Sequence, residues 1–157
     1  MASYRISRNT EACVVDYIKA QLLADGWTGI RIEKSFAEVY KGELPCICIN
    51  SPDRPIKRRE IGSNEIVKDI TIEIRIFATS DGQRLDLADW VIEKVIPGII
   101  YYQYVITNGV VTTKTSKGRI NVNEVTDNRK ELKNTENLDK EDRYRHLISL
   151  NCRIALS

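Results

Sequence analysis

The stretch DITIEIRIFATSDGQRLDLADWVIEKV, residues 69–95, constrains the fold more than any other part of the chain. Ile70, Ile72, Ile74 and Ile76 alternate with Asp69, Thr71, Glu73 and Arg75. Side chains alternate sides along a strand, so this period places the isoleucines on one buried face. The other face is wet or meets a partner. The spacing then changes to helical. Ser80 is a natural N-cap with Gln83 three residues on, and Leu85, Ala88, Val91, Ile92 and Val95 form a single apolar stripe. Pro97 and Gly98 end the helix. A long strand followed directly by an amphipathic helix predicts a sheet with a helical layer on one side.

The rest of the sequence fits that plan. Residues 9–25 predict a first helix, with Asn9 or Thr10 as N-cap, Gly26 as C-cap and Trp27 packing back on the last turn. Ile30 and Ile32 begin a short strand, and LPCICIN at 44–50 is a second. Residues 51–64 read as an extended loop or as the tip of a hairpin leading into a strand over 65–79. After the second helix, GIIYYQYVITNG at 98–109 is a strand closed by an Asn108-Gly109 turn. Two more strands are expected near 110–115 and 119–126, separated by Lys117-Gly118. Residues 127–143 are polar and of mixed charge, a loop or insertion. A final strand over 144–156 places Tyr144, His146, Ile148, Leu150, Cys152, Ile154 and Leu156 on one face. The order predicts a single α+β domain over 1–157, a two-layer structure with a mainly antiparallel sheet and helices packed on one face.

Composition narrows the function classes. At 157 residues, with 42% hydrophobic and 29% charged residues, the chain is long and apolar enough to bury a core. A net charge of +2 does not by itself imply nucleic-acid or membrane binding. No apolar run approaches the roughly 20 residues of a membrane helix, and no signal core is present at the start. The expected compartment is a cytoplasm, where Cys13, Cys46, Cys48 and Cys152 stay reduced.

Tests for chemistry favour structure over catalysis. His146 is the only histidine. With Cys152 it lies on one strand face about 20 Å away, too far for one metal ion. The C-x-C of Cys46 and Cys48 lacks the spacing of a zinc knuckle, and buried thiols packing as small hydrophobes explain all four cysteines. No phosphate-binding glycine loop occurs, and no cofactor is expected. Asp81 suits the first turn of its helix, and Asp86 and Asp89 belong on the outer face. The sharpest enzymatic alternative is a metal-dependent nuclease using Asp53 and Glu73, but its lysine position is Arg75, which cannot serve as a base. Arg54, Lys57, Arg58 and Arg59 form the one dense basic cluster, open to a solvated loop, a protein partner or DNA phosphates.

Four phrases, LPCICIN, REIGSNE at 59–65, DITIEIRIFA and LDLADWVIEKV, follow an N-terminal helix in an order that resembles the tail terminator, or tail completion, proteins of long-tailed bacteriophages. The resemblance spans about residues 10–100. It implies a structural virion protein, not an enzyme. Such proteins form a homo-oligomeric ring, usually a hexamer, at the neck of the virion. The ring caps the tail tube protein and joins it to the head connector or stopper protein. On this resemblance Arg54, Lys57, Arg58 and Arg59 would face the lumen or an adjacent ring, with non-specific contact to passing double-stranded DNA. Thr71, Glu73 and Arg75 would face a neighbouring subunit. Another neck component, such as a head-closure ring, shares the same plan. Expected locations are the virion and, before assembly, the host cytoplasm, with no membrane partner.

Overall fold

The structure, a computed structural model, describes residues 5–52, 56–58, 66–129 and 139–156, with backbone alone at 56–58, 66–68 and 129. The elements are α1 (Ile6–Ala24), β1 (Arg31–Glu33), α2 (Phe36–Val39), β2 (Cys46–Asn50), β3 (Ile56–Arg58), β4 (Ile66–Lys68), β5 (Ile70–Phe77), α3 (Asp81–Val95), β6 (Ile99–Thr107), β7 (Val110–Arg129) and β8 (Arg145–Leu156). Six strands make one sheet in the order β1-β2-β5-β8-β7-β6, while β3 and β4 pair separately. Only β1 and β2 run parallel; all other neighbours in the sheet are antiparallel. The fold is α+β, with helices packed on a curled sheet.

The isoleucine alternation sets the core as expected. Ile70, Ile72, Ile74 and Ile76 are fully buried, each stabilising the fold by roughly 1.5–3 kcal/mol. They pack in one cluster with Val14 and Ile18 of α1, Leu87 and Val91 of α3, and Ile148 and Leu150 of β8. The opposite face carries a smaller cluster of Val39, Cys46, Cys48 and Phe77. The four-residue helix α2 packs there, so helices are not confined to one face. The sequence reading had no α2, because a single turn is too short to show periodicity.

Helix boundaries shift where tertiary partners compete with local signals. α1 starts at Ile6 behind Arg5, which makes no side-chain cap. Asn9 and Thr10, expected as caps, are buried inside the helix. Asn9 Nδ2 donates to the Tyr101 hydroxyl at 3.3 Å, and Thr10 Oγ1 donates to the Ile6 carbonyl at 2.7 Å. The other end forms as expected: Gly26 has φ 77°, its N–H reaches Leu23 O, and Trp27 N–H reaches Leu22 O. That pair of bonds is a Schellman motif. In α3, Ser80 Oγ accepts from Gln83 N–H at 3.2 Å, and Gln83 Oε1 accepts from Thr79 N–H at 2.8 Å. Leu85 departs from its expected stripe and is 46% exposed. Leu87, Trp90 and Arg84 are buried in its place.

Asp25, just past α1, ties the two long helices together. Its carboxylate accepts from Trp90 Nε1 at 2.8 Å and pairs with Lys94 Nζ at 2.8 Å. The Lys94 bond, then the Trp90 bond, hold the Asp25 carboxyl below its usual 3.8, and the Asp25 bond holds Lys94 above its usual 10.5. A depressed acid stabilises above its unfolded pKa and loses that contribution as pH falls through the folded one; a raised base does the reverse. Their contribution is therefore full between those two ordinary values. Asp25→Asn is expected to melt below wild type at neutral pH by a gap that closes as pH drops below 3.8. Melting curves of both proteins down to about pH 2 check this, and a constant gap refutes it.

The second half of the sheet departs most from the period-two reading. β7 is one continuous strand where two were expected. It carries an extra residue against its partners at Thr112, Lys117 and Asn123. Each bulge bends the strand and resets its alternation. Val122 and Val125 thereby pack against the same core despite odd spacing. Gly118 is not a turn residue: it sits inside β7 opposite Tyr101 on one side and Leu156 on the other. The Asn108-Gly109 turn forms as expected, with φ of 52° and 78°, the signs that a two-residue type I′ turn requires. Of the polar segment 127–143, residues 127–129 belong to β7, and Lys140–Asp142 form a 3-10 turn. The strand expected over 65–79 breaks at Asp69, whose carboxylate pairs with Arg153 at 2.8 Å.

Candidate functional site

The basic cluster falls largely outside the described residues. This applies to Arg54 and Arg59, and to Asp53 of the nuclease reading. Lys57 and Arg58 lie on β3, where the backbone pairs Lys57 with Val67 and Arg58 with Ile66.

Thr71, Glu73 and Arg75 share the face of β5 that turns away from the isoleucines, as the alternation requires. Glu73 and Arg75 are ion-paired, with side chains 17% and 23% exposed. Arg75 also donates to Asn50 Oδ1 at 3.3 Å. Two guanidinium groups approach the Phe36 ring, that of Arg75 at 5.7 Å and that of Arg145 at 5.2 Å from its centre. Ser149 and Asn151 of β8 continue this face opposite Glu73 and Thr71. Glu73 is neutralised by its neighbour rather than grouped with other carboxylates. Among the described residues no cluster of three potential metal ligands occurs.

His146 sits in an array that the sequence reading missed. Its ring is 5% exposed, with Nδ1 2.5 Å from Arg84 Nη1 and Nε2 in contact with Asp127 Oδ1. A guanidinium has no acceptor, so Nδ1 must accept and the Nε2 proton goes to Asp127. Arg84 Nε donates in turn to Asp81 Oδ1 at 2.9 Å. The chain Asp81–Arg84–His146–Asp127 joins α3, β8 and β7. Both ring nitrogens are committed to it, and neither is left to take a proton from a nucleophile. Arg84 lies three residues from Leu87 on the buried side of α3, a position that the sequence reading did not assign.

The cysteines are buried and free. Burial pushes Cys46 up to about 11 and Cys152 up to about 12, and raises Cys13 and Cys48 as well. These thiols stay protonated at neutral pH and pack rather than react. Cys13 has a further role. Its Sγ accepts from Tyr102 N–H at 3.2 Å and lies 3.5 Å from Tyr102 O. A side chain of α1 thus engages the backbone N–H and C=O of Tyr102 in β6.

A cleft of about 360 Å³ opens beside this contact, lined by Asp16, Tyr17, Tyr102, Tyr104, Lys114 and Arg119 among others. Several of its polar groups are engaged within the chain. The Tyr104 hydroxyl donates to Asp16 at 2.8 Å, Lys114 Nζ stands 4.5 Å from the Tyr102 ring centre, and Arg119 donates to Pro97 O at 2.6 Å. Burial and the Asp16 bond raise the Tyr104 hydroxyl far above its usual 10.0.

No family model matches this chain, and no characterised protein is a significant match to it. The functional reading therefore rests on the residues and on the fold. Among the described residues, no helix is long and apolar enough to cross a membrane.

Among the described residues, a group of exposed apolar side chains lies at the end of the β6–β7 ladder. β8 stops pairing with β7 at Gly118, whereas β6 and β7 continue as Tyr102–Thr107 against Val110–Ser116. On this arm Val105, Val110 and Val111 are 50%, 65% and 53% exposed.

Proposed function

We propose that this protein is a structural subunit of a bacteriophage neck or tail, a ring-forming tail terminator that caps the tail tube and joins it to the head connector. The observation that carries the reading is the order of elements under the resembling phrases. LPCICIN supplies β2, DITIEIRIFA supplies β5 and LDLADWVIEKV lies within α3, with α1 ahead of them. The projecting arm supports an assembly role, since an exposed two-stranded extension invites pairing with another chain. The polar face of Thr71, Glu73 and Arg75 and the Arg54–Arg59 segment are the remaining candidate contacts in such a ring.

Electron microscopy and mass measurement of the purified protein test the proposal. Closed rings with a central lumen, binding end-on to isolated phage tail tubes, are expected. A monomer that cuts DNA in the presence of Mg²⁺ would overturn it in favour of the Asp53 and Glu73 nuclease.

A further inference from the structure

We infer that the β6–β7 arm of one copy docks on the outer face of α3 of the next copy. The inference rests on the ring-forming reading above and names the contact that would build the ring. Three observations on different parts of the chain lead to it.

The first is the arm itself. It runs about 20 Å past the last β8 pair. A two-stranded ribbon is marginal in water by itself and gains stability from a covering surface. Its exposed side chains include the β-branched Val105, Val110, Val111 and Thr113 and the cationic Lys114. The whole segment 99–123 contains Lys114, Lys117 and Arg119 and no acidic residue.

The second is α3. Leu85, Asp86, Asp89, Glu93 and Ile96 recur at helical spacing and are all exposed. Leu85 and Ile96, 46% and 59% exposed, flank three carboxylates. The bases of this helix are turned elsewhere: Arg84 is buried against His146, and Lys94 is held by Asp25. The stripe is apolar at its ends and acidic between them, which complements the apolar and basic arm in charge.

The third is that neither surface is covered by the described residues: the arm valines and the flanking Leu85 and Ile96 are all exposed in the same molecule. A second copy can join them. The two patches differ, so the contact is head-to-tail, the type of contact that builds a ring when its rotation closes.

Charge exchange tests the contact. Lys114→Glu/Lys117→Glu and Asp86→Lys/Asp89→Lys change only exposed positions or the half-buried Lys117, and unchanged circular dichroism and melting establish that each variant folds. In sedimentation velocity, each variant alone is expected to associate at least about 100-fold more weakly than wild type. An equimolar mixture of the two is expected to recover assembly, because each arm then meets a stripe of opposite sign. Wild-type oligomers that both variants also form would overturn this contact and leave the ring reading standing. Loss of assembly in both variants without recovery on mixing would overturn the pairing of arm with α3. A wild-type protein that is monomeric at every concentration would overturn the ring reading and this contact together.

Discussion

Gly118→Ala is expected to lower the melting temperature by on the order of 10 °C. Gly118 has φ 149°, a backbone region that side chains rarely adopt, at a cost on the order of 1–3 kcal/mol. Space is also lacking. A Cβ built there would overlap the carbonyl oxygen of Ala155 on the neighbouring strand. Relieving that overlap means moving backbone in the middle of the β7–β8 ladder, for about 1–3 kcal/mol more. Gly109→Ala is the control. Gly109 also has a positive φ, 78°, but nothing lies near the added Cβ, so only the conformational cost of about 1–2 kcal/mol applies. Thermal melts of the two variants should separate clearly. Equal, small losses would refute the close approach at Gly118.

The second large effect is expected in the Asp81–Arg84–His146–Asp127 chain, at its buried middle pair. His146→Leu leaves the Arg84 guanidinium, with a side chain 6% exposed, without its acceptor, and a broken buried charge contact costs about 3–5 kcal/mol at the upper end. Asp81 remains beside Arg84 and reduces that loss. Arg84→Met leaves Nδ1 of His146 as an unpaired buried acceptor, for about 1–3 kcal/mol. The double variant removes both polar groups at once, so it is expected to lose less than the sum of the singles by about 1–3 kcal/mol. Chemical denaturation of wild type, both singles and the double gives that coupling directly. Additivity within about 0.5 kcal/mol would show that the two groups do not depend on each other.

The array illustrates why the candidate site was only partly legible. Glu73 and Arg75 were found from alternation alone, since neighbours two apart on a strand must share a face. His146 was visible as the only histidine, but Arg84 and Asp127 are 62 and 19 residues away from it in sequence. No local pattern links them. The acidic stripe of α3 was half visible: Asp86 and Asp89 were placed outside correctly. The exposure of Leu85 beside them was not foreseen, because an apolar residue at helical spacing normally belongs to the buried side.

What the sequence by itself determined is whatever depends on local spacing. The buried isoleucine face of β5, the Ser80 cap, the Gly26 end of α1 and the Asn108-Gly109 turn each follow from residues within a few positions of one another. Only the tertiary structure decided that β8, the last strand, enters between β5 and β7 and joins the two halves of the sheet. It also decided the three bulges of β7, because an extra residue exists only relative to a partner's register. Among the described residues β8 pairs with β7 no further than Gly118, and the β6–β7 arm continues as two strands. Strand order and register are set by which distant surfaces bury together, and side-chain periodicity does not specify them.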